Sequence, residues 1–423
     1  MNILMITNTY LPFIGGVERS IEIFTAEYRN QGHQVLIVAP RINHSENIEQ
    51  DVIRVPALQN FNGTDFSVQL PVPGLLNKVL KRFQPDIVHS HHPFMLGDTA
   101  LRIAAQYKIP IVYTFHTYYE YYTHYVPGNC SALKRFVIAL STGYANLCDH
   151  IIAPSSSVAT ELIDRGVETC IDVIPTGIDV QKYLSGNGRE FRTEMGIPKN
   201  AFVIGFVSRL APEKNLDFLT DSVIQFMRKH KNTCFLMIGC GSLEAEVKQK
   251  FALCGLMNRF YPTGTLVTEK LVNAYNAMNV FAFASKTETQ GLVLTEAIAS
   301  GVPVVALNGP CIGEVIEDHK NGRLINTQNK DEFCKSLSWV KRLSKRELKM
   351  IKENNRARAK EFSKRESASK LLDIYNNLLT KNYIERDHAD SGWDKAKRLI
   401  KAELDLIKNV TRATGAAIND STE

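Results

Sequence analysis

Ile3-Leu4-Met5-Ile6, a turn holding Pro12 and Gly15-Gly16, a helical pattern from Val17 to Arg29 ended by Gly32, and Gln34-Val35-Leu36-Ile37-Val38-Ala39 open this chain. The two short runs are apolar on both faces. Strands of a parallel sheet read that way, because helices cover each side of it. Strand, glycine turn, helix and strand in that order make a βαβ unit, which implies a parallel sheet.

Outward from there the alternation continues. Asp86–His89, Ile111–Thr114 and His150–Ala153 read as further strands of one doubly wound domain. Ile174-Pro175-Thr176-Gly177-Ile178-Asp179 makes a turn, and the polar Ser185-Gly186-Asn187-Gly188 reads as a linker. Ala201–Val207, Cys234–Ile238, Val280–Ala284 and Val302–Ala306 restart the rhythm, with amphipathic helices at Leu216–Lys229 and Ser242–Phe251 between them. The expectation is an α/β protein of two domains, 1–178 and 179–362. A helix over 363–383 and a basic amphipathic tail over 384–423 follow, frayed from Ala413 on.

The totals agree with this. A length of 423 residues suits two domains, and 44% hydrophobic with 22% charged residues is an ordinary globular composition. The eight cysteines include no C-x-x-C pair and follow no secretory leader, so they read as reduced thiols rather than a disulfide frame or zinc site. No run approaches the roughly 18 apolar residues of a membrane span. A cytoplasmic protein is expected, at most peripheral on a membrane. The net charge of +6 fits an anionic small ligand or an anionic membrane surface, and nucleic acid is not expected as a partner.

Two stretches carry the chemistry of the second domain. In 285–296, Glu288 follows a strand and Glu296 lies inside a helix that begins near Leu292, with Thr289, Gln290 and Gly291 as the turn between. A helix start offers free N–H groups to an anion, and the carboxyl ends of parallel strands are the ligand edge of such sheets. Two solvated glutamates would have the same spacing. Ser208-Arg209-Leu210-Ala211-Pro212-Glu213-Lys214-Asn215 follows another strand and puts two cations at the same edge. Arginine as a fork of donors and lysine as a point charge suit a pyrophosphate. In the first domain, Gly15-Gly16 opens a helix after the first strand and suits close approach of a ligand, or simply a tight turn.

Taken in order, Gly-Gly-Val-Glu-Arg at 15–19, Pro-Thr-Gly-Ile-Asp at 175–179, the 208–215 stretch and the glutamates 288 and 296 resemble the retaining glycosyltransferases of the GT-B fold, family 4-like. Gly301-Val302-Pro303-Val304-Val305-Ala306 and Asn321-Gly322 extend the match, which covers roughly residues 1–380. The resemblance implies two Rossmann-like domains facing across a cleft, the first for the acceptor and the second for a nucleotide sugar. It implies that Arg209 and Lys214 hold the donor diphosphate and Glu296 the ribose. Glu288, with the backbone near Gly291 and Leu292, would grip the donor sugar, and Gly16, beside Gly15, would pack near the diphosphate. The leaving phosphate would take the acceptor's proton on the face it leaves, so neither metal nor other cofactor is expected.

A second cluster concerns the acceptor. His89-Ser90-His91-His92-Pro93-Phe94 and Thr114 to Tyr125 leave the ends of successive strands and can converge on one edge. A loop rich in tyrosine suits an acceptor with sugar and apolar parts. His91, Tyr119, Tyr122 and His124 are the candidates, and the resemblance puts His116 near the reacting sugar. These runs look most like the diacylglycerol glucosyltransferase branch, which implies UDP-glucose and a lipid acceptor. Transfer from GDP-mannose or another UDP-sugar to a polysaccharide or lipid-linked sugar is the alternative. A non-catalytic sugar-nucleotide-binding protein is the alternative of another class. In the tail, Trp393, Ala396, Ile400, Leu404 and Ile407 line one face of a helix over Trp393–Arg412, with surplus lysine around them. Such a helix lies on an anionic membrane surface or docks on the protein's own body; both remain open. For Pro73–Phe83, a core-facing helix with a solvated basic side is expected.

Overall fold

The computed structural model describes residues 1–41, 51–58, 68–69, 75–123, 130–386 and 392–418. They form two compact units, one of residues 1–177 with 364–423, the other of residues 178–363. The first holds a seven-stranded sheet of β1 (Asn2–Ile6), β2 (Gln34–Pro40), β3 (Val52–Val55), β4 (Ile87–Ser90), β5 (Ile111–Thr114), β6 (His150–Ala153) and β7 (Ile171–Val173). Its order is β3-β2-β1-β4-β5-β6-β7, and every neighbouring pair is parallel. The second holds β8 (Phe202–Val207), β9 (Thr233–Ile238), β10 (Phe260–Pro262), β11 (Val280–Phe283), β12 (Val304–Leu307) and β13 (Gly322–Ile325), in the order β10-β9-β8-β11-β12-β13, again parallel.

Why these runs are strands is visible in where their side chains go. In β8, Ile204 and Phe206 enter one core layer while Val203 and Val207 enter the layer on the opposite side of the sheet. In β1, Leu4 and Ile6 face one layer, Ile3 and Met5 the other. The second of those layers lies under helix α1 (Gly16–Asn30) and under the helix Lys364–Arg386, whose Ala368, Leu371, Leu372 and Tyr375 are buried in it. Each such leucine removed from water contributes about 1.5–3 kcal/mol, enough to hold this late segment on the first unit.

Three sequence expectations need correction or completion. Ser185–Gly188 is not a linker; it joins two short helices, Val180–Leu184 and Gly188–Glu194, inside the second unit. A Cβ on Gly188 would lie 2.1 Å from the Asn276 carbonyl oxygen, so the glycine marks close packing rather than freedom. The tail does not fray at Ala413: the last helix runs Gly392–Ile418, with Ala413 fully buried; of the tail, 387–391 and 419–423 lie outside the described residues. That helix docks on the helices Leu96–Tyr107 and Ser131–Ala145 of the first unit through Leu406, Asn409 and Ala413. The stripe formed by Trp393, Ile400, Leu404 and Ile407 points the other way, into solvent, while Ala396 is half-buried. The helix Leu75–Phe83 does bury Leu76 and Leu80 and exposes its lysines; residues 73–74 lie outside the description. No described helix is long and apolar enough to cross a membrane.

Candidate active site

At the carboxyl end of β8 the chain turns through Ser208–Ala211 into a short 3-10 turn, Pro212–Lys214. Asn215 closes the turn in the left-handed region, at φ 54°, and donates through Nδ2 to the Ala284 carbonyl just past β11. That bond ties the turn to the segment carrying Glu288. Lys214 Nζ consequently donates to Glu288 Oε1 at 2.6 Å, with both side chains mostly buried. Burial alone would raise the Glu288 carboxyl. The Lys214 charge and hydrogen bond, a bond from the Ser285 hydroxyl and the Arg209 charge outweigh it and hold the group below its ordinary value. Glu288 is therefore a carboxylate. Arg209 is paired with the buried Glu213, one turn on, and keeps its guanidinium half-exposed. Beside Glu288, the buried hydroxyl of Thr287 has no hydrogen-bond partner among the described residues.

Gly291 takes φ 73° and starts the helix Leu292–Ala299, so its first N–H groups face the same edge. Glu296 lies one turn inside and is buried. Its two oxygens each accept a hydrogen bond, from Tyr183 at 2.6 Å and from Tyr275 at 2.8 Å. These bonds orient the Glu296 carboxylate. Arg209, Lys214, Glu288, Gly291, Leu292 and Glu296 are thus brought to one edge of the second unit.

In the first unit, Gly15 caps α1 and Gly16 has open space where a side chain would stand. Glu18, in the first turn of α1, is buried and accepts from the Thr9 hydroxyl. Beyond β4, Asn8 pins the histidine run: its Nδ2 donates to the Phe94 carbonyl, its Oδ1 accepts from Leu96 N–H, and its own N–H donates to His92 Nδ1. His91 Nδ1 lies 3.0 Å from His116 Nε2, with the rings stacked 5.2 Å apart. His89 also stacks on His91, at 4.3 Å. Its nitrogens meet Tyr375 of the returning helix at 2.5 Å and Thr114 at 2.7 Å. Burial lowers all four imidazoles, with neighbouring rings adding to it at His89, His91 and His92; His89, His92 and His116 fall to about 3. The cluster is neutral at ordinary pH.

Tyr119 packs edge-on against Phe94 in the 3-10 turn Tyr119–Tyr121, with Tyr122 half-buried after it; His124 lies outside the described residues. The turn is held from below by Arg165, paired with Glu120 at 2.5 Å. Sequence reasoning missed Asn8, Arg165, Tyr183, Tyr275 and Tyr375, and only their chemistry as donors could have suggested them. Among the described residues, one group could hold a metal: His150, Cys170 and Asp172. It lies at the start of β6 and β7, away from the carboxyl edge.

Two doubly wound units, with charged groups collected at the carboxyl edge of the second, define a GT-B glycosyltransferase. Residues 14–182 match the model of Glycosyltransferase Family 4, and residues 187–358 that of Glycosyl transferases group 1. An alpha-monoglucosyldiacylglycerol synthase of Streptococcus pneumoniae is 30% identical over 77% of this chain and 75% of its own. One from Acholeplasma laidlawii is 28% identical over 90% and 98%. The crystal structure of Anabaena HepE with UDP superposes at a TM-score of 0.70 over 89% of this chain and all of that one, at 21% identity. The chain belongs to the family 4 glycosyltransferases and is a hexosyltransferase.

Proposed function

We propose that this protein transfers glucose from UDP-glucose to diacylglycerol, with retention and without a metal ion, as a cytoplasmic protein at the inner face of a cell membrane. The observation that carries the donor half is the Lys214–Glu288 pair, 2.6 Å long, standing beside Arg209 at one sheet edge. Arg209 and Lys214 supply the positive charge that a divalent ion supplies elsewhere, aimed where the diphosphate leaves. Glu288 and Thr287 offer acceptors to sugar hydroxyls, and Glu296 offers its carboxylate, aimed by Tyr183 and Tyr275, to the ribose. On the acceptor side, neutral His116, backed by His91, receives a hydroxyl without adding charge. The acceptor oxygen bonds to the anomeric carbon on the face from which the phosphate oxygen departs. The acceptor's proton passes to that leaving oxygen, and the nucleoside diphosphate is released. The lipid acceptor and glucose are supported by the two relatives, whose names specify an alpha-linked glucosyl product; from an alpha-linked donor that outcome is retention.

The test is a radiolabel transfer screen with UDP-glucose, UDP-galactose and GDP-mannose, offered diacylglycerol in anionic vesicles and water-soluble acceptors. Label should enter the lipid phase from UDP-glucose, and chelation by EDTA should leave the rate unchanged. Label confined to soluble products would remove the lipid acceptor and keep the enzyme class. Loss of activity in EDTA, restored by a divalent ion, would overturn the metal-free reading.

A further inference from the structure

The last helix of the first unit has two faces with opposite fates. We label the helices on which it rests α2 (Leu96–Tyr107) and α3 (Ser131–Ala145), and the helix itself α4 (Gly392–Ile418). Its docked face carries one large apolar side chain, Leu406, buried in the core of the first unit, beside Asn409, which donates to the Leu140 carbonyl, and the fully buried Ala413. A Cβ on Gly143 would collide with Asn409 at 1.8 Å, so the glycine lets the two helices approach. Arg398 donates to the Ala105 carbonyl, Arg102 grips Glu403, and Arg135 donates to the carbonyls of Ala416 and Ala417. These bonds set the rotation of α4 about its own axis.

At that rotation the large apolar side chains point outward. Trp393, Ile400, Leu404, Ile407 and Ile418 follow spacings of seven, four, three and eleven, one row along a helix. Trp393 is 67%, Ile407 59% and Ile418 63% exposed. Helices normally bury such a row; this one is held away from the core by the buried Leu406 and the polar bonds on the other side. The charges beside the row are mainly cationic, against Asp394 and Asp405, the latter 4.0 Å from Lys408. Lys397 sits over the Trp393 ring at 5.6 Å, and Lys401, Lys408 and Arg412 follow along the same flank. The acidic Glu403 is already paired with Arg102.

An apolar row with tryptophan at one end and lysines along its side matches the boundary between phosphate headgroups and acyl chains. A protein groove takes such a row too, but the lysines along its flank and the tryptophan at its end favour a lipid boundary. Direction adds a further element. Arg135, near the start of α3, holds the end of α4, and α3 starts at the carboxyl edge of the sheet, where His116 and the tyrosine turn lie. We propose that the outward face of α4 seats this protein on an anionic lipid surface, with the Ile418 end of the helix toward the acceptor edge. The proposal takes its purpose from the lipid-acceptor reading, but the contact is measured without it.

The chain has two tryptophans, Trp339 and Trp393, so Trp339→Phe leaves a single reporter on the row. With vesicles of phosphatidylglycerol and phosphatidylcholine carrying brominated acyl chains, Trp393 emission should be quenched several-fold. Phosphatidylcholine alone, or high salt, should leave it nearly unquenched. Ile400→Asp with Ile407→Asp should weaken sedimentation with anionic vesicles at least tenfold without changing the melting temperature. Lys401→Gln with Lys408→Gln should weaken it less. Unquenched Trp393 on a protein that still sediments would overturn the proposal, because another surface would then hold the lipid. So would unchanged binding of the aspartate variant, or a dimer that these substitutions dissolve. Quenched Trp393 with no sugar passing to any lipid would leave the surface standing and sink the lipid-acceptor reading.

Discussion

The ligand edges of the two units are built on opposite electrostatic plans. In the second unit the working groups are ionised and paired: Lys214 with Glu288, Arg209 with Glu213. In the first they are rings kept neutral by burial, His89, His91, His92 and His116, with tyrosine and threonine hydroxyls between them. The difference follows from what each edge is proposed to handle. A departing diphosphate gains charge and needs fixed cations, whereas an acceptor hydroxyl beside a lipid needs hydrogen-bond partners that bring no charge to be desolvated.

The largest effect should come from removing charge at the ionised edge. Lys214→Ala should lower kcat by roughly 10²–10³, the usual cost of losing one transition-state donor. Glu288→Ala should also abolish measurable transfer, with the second unit still folded by circular dichroism. Lys214→Arg should recover little, because the planar fork cannot replace a point charge seated on one carboxylate oxygen. Near-normal turnover in either alanine variant would break the comparison.

The next effect separates the edges by pH. His89, His92 and His116 titrate at about 3 when folded, against an ordinary 6.5. Between those values the unfolded chain binds more protons than the folded one. The stability of the first unit is therefore full above about 6.5 and falls as the pH drops below it, by up to ~1.4 kcal/mol per pH unit for each histidine. Glu288 is lowered as well, but from 4.5, so its contribution persists above 4.5 and is lost only as the pH falls further, in a window below that of the histidines. Hydrogen exchange at pH 5 should show amides of 87–116 opening before those of 202–296. The reverse order would show that charge pairing, not ring burial, is the weak point.

How much of this was legible in sequence depends on whether partners are near in the chain. Ile111–Thr114, His150–Ala153 and Leu216–Lys229 stand where periodicity placed them, because each is a strong apolar pattern bounded by turns. The edge strands Val52–Val55, Phe260–Pro262 and Gly322–Ile325 were not seen, since they are only partly buried and Arg54, Pro262 or Arg323 interrupts the apolar run. Ser131–Ala145 was not seen as a helix; its apolar residues surround it because α4 covers it from outside. Arg209, Lys214, Glu288 and Glu296 lie in two contiguous stretches that announce a ligand edge. The groups that aim them do not: Tyr375 is 286 positions from His89, and Tyr183 is 113 from Glu296.

The smallest effect tests one of those aiming groups. Tyr275 donates to Glu296 Oε2 at 2.8 Å, and its ring packs against Tyr183, the donor to Oε1. Tyr275→Phe keeps the ring and deletes one hydrogen bond, worth about 1 kcal/mol. If Glu296 binds the ribose, freeing one oxygen loosens its aim at the sugar diol. KM for the nucleotide sugar should then rise ~5-fold with kcat nearly constant, because the contact is the same in ground and transition states. Discrimination against a 2′-deoxyribose donor should shrink in the same variant. If Glu296 is only a buried strut, Tyr275→Phe should lower the melting temperature while KM and the ribose preference stay fixed.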